Sequence, residues 1–178
     1  MRRRDFVAAT MAAAVVAFSA SYACAQEFTV HMTGFSEIGE IPGSYTGSIL
    51  SDGTATATLL LDRKAGTIAY ELTYSNVGTT PPLTGTVTQA HIHFGKSHTS
   101  GGILVFFCSN LGNGPAGTPT CPSNSGTVTG TWTAASVQAI PTENVNAGDF
   151  DALTDALTSN TAYANIHTTA FAAGEIRG

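Results

Sequence analysis

The sequence predicts a mainly β protein: an antiparallel β-sandwich or barrel-like sheet carrying one short α-helix near residues 149–159. Three observations lead there. Short segments of strict apolar–polar alternation recur along the chain. The cleanest is residues 67–75, where Ile68, Tyr70, Leu72 and Tyr74 share one face and Thr67, Ala69, Glu71 and Thr73 the other. Connections rich in Gly, Ser and Pro separate these segments. One stretch alone has a clear helical period: Phe150, Leu153, Ala156 and Leu157 fall on one face, after Gly148 and an acidic first turn. Asp149 and Asp151 suit the positive end of that helix.

The elements follow in order. The chain opens with Met1-Arg2-Arg3-Arg4-Asp5-Phe6, then an Ala- and Val-rich stretch from Val7 to about Ala20, then Ala23-Cys24-Ala25. A basic start, a short apolar run and a small-x-small site describe a secretory signal peptide at residues 1–25, cleaved after Ala25. The run is too short for a membrane span, and Arg3-Arg4-Asp5-Phe6-Val7 also fits a twin-arginine leader. The expected mature protein is one domain, residues 26–178, periplasmic or extracellular, with no membrane span after cleavage.

Residues 28–32 alternate and open that domain as a strand. Residues 36–51 form a long irregular connection. Residues 53–62 are a strand, and Asp62-Arg63-Lys64-Ala65-Gly66 is a hairpin turn in which Gly66 takes positive φ. After the strand at 67–75, residues 76–83 are a loop ended by Pro81-Pro82, and residues 84–94 are a strand. A connection at 96–102 follows. Residues 103–108 are apolar at every position, which predicts a strand buried on both faces. Residues 126–133 alternate around Val128 and the single tryptophan, Trp132, and residues 134–139 suit one helical turn. Trp132, Tyr70 and Tyr74 are expected in the core. Beyond the helix, residues 162–168 return to strand alternation, and Ala173-Gly174-Glu175-Ile176-Arg177-Gly178 follows.

Composition narrows the function classes. Cleavage leaves Arg63, Lys64, Lys96 and Arg177 against eleven acidic residues, a net charge of −7 with neutral histidines. Without a basic patch, no nucleic-acid partner is expected. Cys108 and Cys121 are the cysteines that survive cleavage. An even pair in an exported chain reads as one disulfide, with two free thiols or a metal pair as the alternatives. The disulfide closes a loop of 12 intervening residues that is rich in Gly and Pro, worth roughly 3 kcal/mol in the chain-entropy view. No nucleophile motif or phosphate loop is present, so no catalytic residue is assigned. Asp149, Asp151 and Asp155 lack the alternating-oxygen spacing of a calcium loop.

The chemistry-bearing stretch is Ala90-His91-Ile92-His93-Phe94-Gly95. Strand alternation puts both imidazoles on one face and Ala90, Ile92 and Phe94 on the other. Tyr163-Ala164-Asn165-Ile166-His167-Thr168 has the same alternation. If the two strands are neighbours, His91, His93 and His167 converge. Three neutral imidazoles on rigid strands suit copper or zinc; a cluster hydrogen-bonded to backbone or to Glu175 is the alternative. Glu175 and Arg177 share strand parity. One of them orients an imidazole, or, the preferred reading, takes part in a cross-strand ion pair. His31 and His98 are expected at the surface.

Taken in order, the motifs 90–95, Gly101-Gly102-Ile103-Leu104-Val105-Phe106-Phe107, 163–168 and Gly174-Glu175-Ile176-Arg177-Gly178 resemble the CHRD (chordin) domain family over nearly the whole mature chain. Glu37-Ile38-Gly39-Glu40-Ile41-Pro42 departs from that family's usual acidic-Val-Pro-Pro run. The domain is also distantly similar to the copper-zinc superoxide dismutase sandwich, although that enzyme's bridging histidine and aspartate have no evident match. The resemblance by itself implies little about function. Taken with the leader and the composition, the expectation is an exported, non-catalytic CHRD-domain protein, an extracytoplasmic module that binds an unidentified ligand or protein, with a metal site at His91, His93 and His167 left open beside the hydrogen-bonded cluster. A mononuclear copper protein with redox or superoxide-dismutase-like activity is the second expectation. A structural matrix or adhesion element is the third.

Overall fold

The structure, a computed structural model, describes residues 25–38 and 47–178. The expected signal peptide lies outside the described residues except for Ala25. Eight strands and one α-helix follow one another: β1 (Gln26–Thr33), β2 (Thr54–Asp62), β3 (Thr67–Ser75), β4 (Val87–Phe94), β5 (Ile103–Ser109), β6 (Gly126–Trp132), α1 (Phe150–Thr158), β7 (Ala162–Thr168) and β8 (Ile176–Arg177). Single 3-10 turns occur at Gly34–Ser36, Ala134–Ser136 and Pro141–Glu143. The strands form one sheet in the order β5-β4-β7-β8-β1-β2-β3-β6, with every pairing antiparallel.

Alternation explains which way each strand faces. Along β2, Ala55, Ala57, Leu59 and Leu61 are buried while Thr54, Thr56, Thr58 and Leu60 are more exposed. Along β3, Ile68, Tyr70, Leu72 and Tyr74 are buried. These inward rows meet Ala90 and Ile92 from β4, Val128 and Trp132 from β6, and Ile166 from β7 in one core. As expected from its unbroken apolar run, β5 is buried on both faces from Leu104 to Ser109.

The sheet curls into a nearly closed barrel. Two-residue β8 stitches it, pairing Ile176 and Arg177 with Ile166 and Asn165 of β7, and Arg177 with Thr33 of β1. The remaining seam lies between edge strands β5 and β6. Side chains close it: the Trp132 indole N–H donates to the Phe106 carbonyl (2.8 Å) and the Tyr70 hydroxyl to the Phe107 carbonyl (2.9 Å). Backbone acceptors on the edge of β5 are thereby satisfied without a partner strand. Tyr70 stacks on Trp132 and meets Phe107 edge-on, so the seam is packed as well as bonded.

The expected local structures are present. In the β2–β3 turn, Asp62 Oδ1 accepts from the Ala65 N–H and Gly66 has φ +66°. Asp149 caps α1, accepting from the Ala152 N–H at 2.9 Å. Leu153 and Ala156 of α1 enter the core, flanked by Phe150 and Leu157. Arg63 ties the turn to the helix through Thr154 Oγ1 (3.1 Å). Cys108 and Cys121 are disulfide-bonded. Inside their loop, Asn110 donates to the Val87 and Cys121 carbonyls and accepts from the Cys121 N–H, which orders a segment with no regular structure of its own.

Candidate metal centre

β4 and β7 are neighbours, and their register decides what meets. His93 lies opposite Tyr163, His91 opposite Asn165, and Gln89 opposite His167. Opposed residues share a face, so all three imidazoles stand on one side of the sheet. The row through His91 continues sideways: Phe106 on β5, His91, Asn165, then Arg177 on β8. This face is turned away from the core that takes Ala90 and Ile92. It is nonetheless buried: exposure is 1% at His91, 9% at His93 and 6% at His167.

Three connections lie across it. The Gly101 carbonyl accepts from His93 Nδ1 (2.8 Å), and the Ala172 carbonyl from His167 Nδ1 (2.9 Å). Arg177 donates to the Thr99 carbonyl (2.7 Å), and Asn165 Nδ2 to Glu37 Oε2. Glycine is required where these loops press down. A Cβ at Gly101 would strike the Phe94 carbonyl, and one at Gly174, where φ is +131°, would strike Glu37 and Asn165.

The two carbonyls fix chemistry as well as position. A carbonyl only accepts, so the Nδ1 of His93 and of His167 carries the proton and each Nε2 keeps its lone pair. Both Nε2 atoms are buried without a hydrogen-bond partner, as are both ring nitrogens of His91. One ligand atom from each ring lies within 4.8 Å of those of the other two. Ring centroids are 4.6 Å apart for His91 and His93 and 4.5 Å for His91 and His167. Buried polar atoms are rarely left unpaired, and here four of them sit together. Among the described residues one other buried side-chain atom is unpaired, Asn165 Oδ1, on the residue opposite His91.

The electrostatics keep the rings neutral. Burial lowers the His91 pKa well below 6.5, and the neighbouring His167 and His93 add to it. Burial also brings His93 down to about 4; the bond to Gly101 opposes the shift, and His167 and Arg177 reinforce it. Burial lowers His167 too, against the bond to Ala172. Neutral imidazole is the metal-binding form. Bond lengths of about 2.0–2.1 Å to an ion would put the nitrogens about 3.4–3.6 Å from one another, a contraction of about 1 Å within reach of χ rotation. The donor set and its unpaired atoms therefore fit a transition-metal ion.

Beside His93, a stack runs outward. The Tyr163 ring lies parallel to the imidazole at 4.6 Å, and the Arg177 guanidinium sits 3.4 Å from the Tyr163 centroid. A cleft of about 160 Å³ opens there, lined by Glu37, His93, Gly101, Tyr163, Asn165 and Arg177 among others.

Both sequence readings of Glu175 require correction. Its carboxylate accepts from Ser51 Oγ (2.7 Å), the Gly78 N–H (2.8 Å) and Thr168 Oγ1 (2.9 Å), none of them an imidazole or a cation on a neighbouring strand. Parity misleads because Glu175 precedes β8 and follows Gly174 at positive φ, outside any regular strand. Its partner Thr168 alternates with His167 along β7 and so faces away from the histidines. The groups that do orient imidazoles are the Gly101 and Ala172 carbonyls, backbone partners that the sequence allows for without identifying. Gly101-Gly102 was a motif signal, but backbone acceptors carry no residue-type signature. His31 and His98 are exposed, as expected, and His31 bonds Thr56.

A nearly closed antiparallel barrel with a buried three-histidine face defines a small, mainly β domain. The sequence profile of the CHRD domain matches residues 28–178, and the chain belongs to that family. No curated protein matches the chain, and no solved structure does.

Proposed function

We propose that this protein is an exported, non-catalytic CHRD-domain module that binds a transition-metal ion through His91, His93 and His167. One observation carries the reading. Four ring nitrogens of these residues are buried without a hydrogen-bond partner and face one another across two strands. A structural polar cluster would be expected to satisfy such atoms, because each unpaired buried group costs about 1–3 kcal/mol. A bound ion satisfies three lone pairs at once. Copper and zinc both suit imidazole donors, and the carbonyls of Gly101 and Ala172 would hold two of the rings in the ligating tautomer. The export reading rests on the N-terminal leader pattern, and a disulfide is compatible with an oxidising compartment.

The test is metal analysis of the protein purified from its native compartment without chelators. About one equivalent of copper or zinc is expected in wild type, and a large loss in His93→Ala. Metal-free wild type that takes up no ion on titration would end the proposal.

A further inference from the structure

We propose that the centre selects a monovalent, three-coordinate ion, cuprous copper, over zinc and cupric copper. This rests on the metal-binding reading and names the ion that the site favours. Two observations point the same way.

The first is charge. All three donors are neutral nitrogens, and among the described residues no carboxylate or thiolate joins their cluster. Glu37, which lines the cleft, has its carboxylate engaged with Asn165 Nδ2 and the Ile38 N–H, and it shares the cleft with the cation of Arg177. Arg177 is itself buried, at 4% exposure, and its charge is held one aromatic ring from His93. The donor cluster thus supplies no anionic ligand to offset an ion's charge. The cost of placing an ion in such surroundings grows with the square of its charge, so a divalent ion costs about four times as much as a monovalent one. Sites built for divalent ions usually include anionic ligands.

The second is coordination number. Three protein nitrogens converge, and the Phe106 ring meets His91 edge-on at 5.2 Å, so an apolar group flanks the centre on the β5 side. Structural zinc sites have four protein ligands, zinc held by three takes a water as its fourth, and cupric ions favour tetragonal sets. A closed-shell cuprous ion is content with three nitrogens and imposes no fourth. The cleft beside His93 gives it a way in.

The test compares ions on the full-length, metal-free protein. Cuprous ion is titrated anaerobically against bicinchoninate, and zinc and cupric ions against chromophoric chelators, for wild type, His93→Ala and Arg177→Gln. Wild type should hold cuprous ion at least about tenfold tighter than zinc, with the preference depending on His93. Arg177→Gln should narrow that preference by tightening zinc more than cuprous ion. X-ray absorption of the copper-loaded wild type should show three nitrogen ligands. Zinc or cupric ion held as tightly, or a four-coordinate copper, would overturn the selectivity while leaving a metal site. No ion held in a His93-dependent way would remove both proposals.

Discussion

At the scale of single residues, His91 is the most informative position. It is 1% exposed and neither ring nitrogen has a hydrogen-bond partner. Replacing it with a ring of similar shape and no polar atoms should relieve that penalty. His91→Phe is expected to stabilise the metal-free protein by about 1–3 kcal/mol, read as a higher urea midpoint at unchanged m-value, while abolishing metal uptake. A loss of stability would mean that the imidazole is a structural member of a satisfied cluster. The same burial sets a pH dependence. An unfolded-state imidazole titrates near 6.5, whereas His93 in the fold titrates at about 4 and His91 well below 6.5. Between these values the unfolded chain binds more protons than the folded one, so stability falls as pH falls. The contribution is complete above about pH 6.5 and is lost progressively toward about pH 4. Denaturation midpoints of the metal-free protein at pH 7.5, 6.5 and 5.5 should therefore decline (roughly flat, then falling), ahead of the range where ordinary carboxylates titrate. An unchanged midpoint down to pH 5.5 would contradict neutral burial. Sequence reading found these histidines because alternation is local and the residue type is itself the chemistry. It misplaced Glu175 because parity was extended past the end of a strand, through a glycine whose backbone does not continue it.

At the scale of elements, the strands were legible where one face is buried and the other is not. β3 and β7 match their expected limits, residues 67–75 and 162–168, and the helix differs by one residue at each end. The β4 strand begins at Val87 and not at 84, because Gly85 and Thr86 bond to the loops around Gly78 and Thr169. Strand order is a different kind of information. Nothing in a period-2 pattern says that β4 pairs with β7 across two intervening strands and a helix, and the convergence of His167 with His91 depends on that pairing. The seam was also invisible in the sequence, since Tyr70 and Trp132 read simply as core. Their polar ends make it testable. Tyr70→Phe keeps the ring but leaves the Phe107 carbonyl without its donor, and a loss of about 1–3 kcal/mol is expected in equilibrium denaturation. A neutral result would show that the β5–β6 seam is held by ring packing alone. The disulfide loop stabilises by a separate route. Cys108→Ser with Cys121→Ser should lower stability by roughly 3 kcal/mol, mainly through the unfolded chain. A change that small and independent of metal would leave the histidine face intact.

At the scale of the whole molecule, the barrel holds two strands rigidly side by side while loops cover their outer face. β8 locks β7 to β1, α1 feeds into β7, and the carbonyls of Gly101 and Ala172 aim the rings. The core is therefore spent on fixing a site that lies outside it. Ion binding at such a site must stabilise the entire fold, because the unfolded chain cannot bring the three rings together. The most direct measurement is the unfolding free energy of metal-free wild type and His93→Ala, each with and without a free ion at a hundred times the wild-type dissociation constant. The account predicts a gain of about 2.7 kcal/mol for wild type and close to none for the variant. Equal gains in the two proteins, or no gain in either, would contradict it.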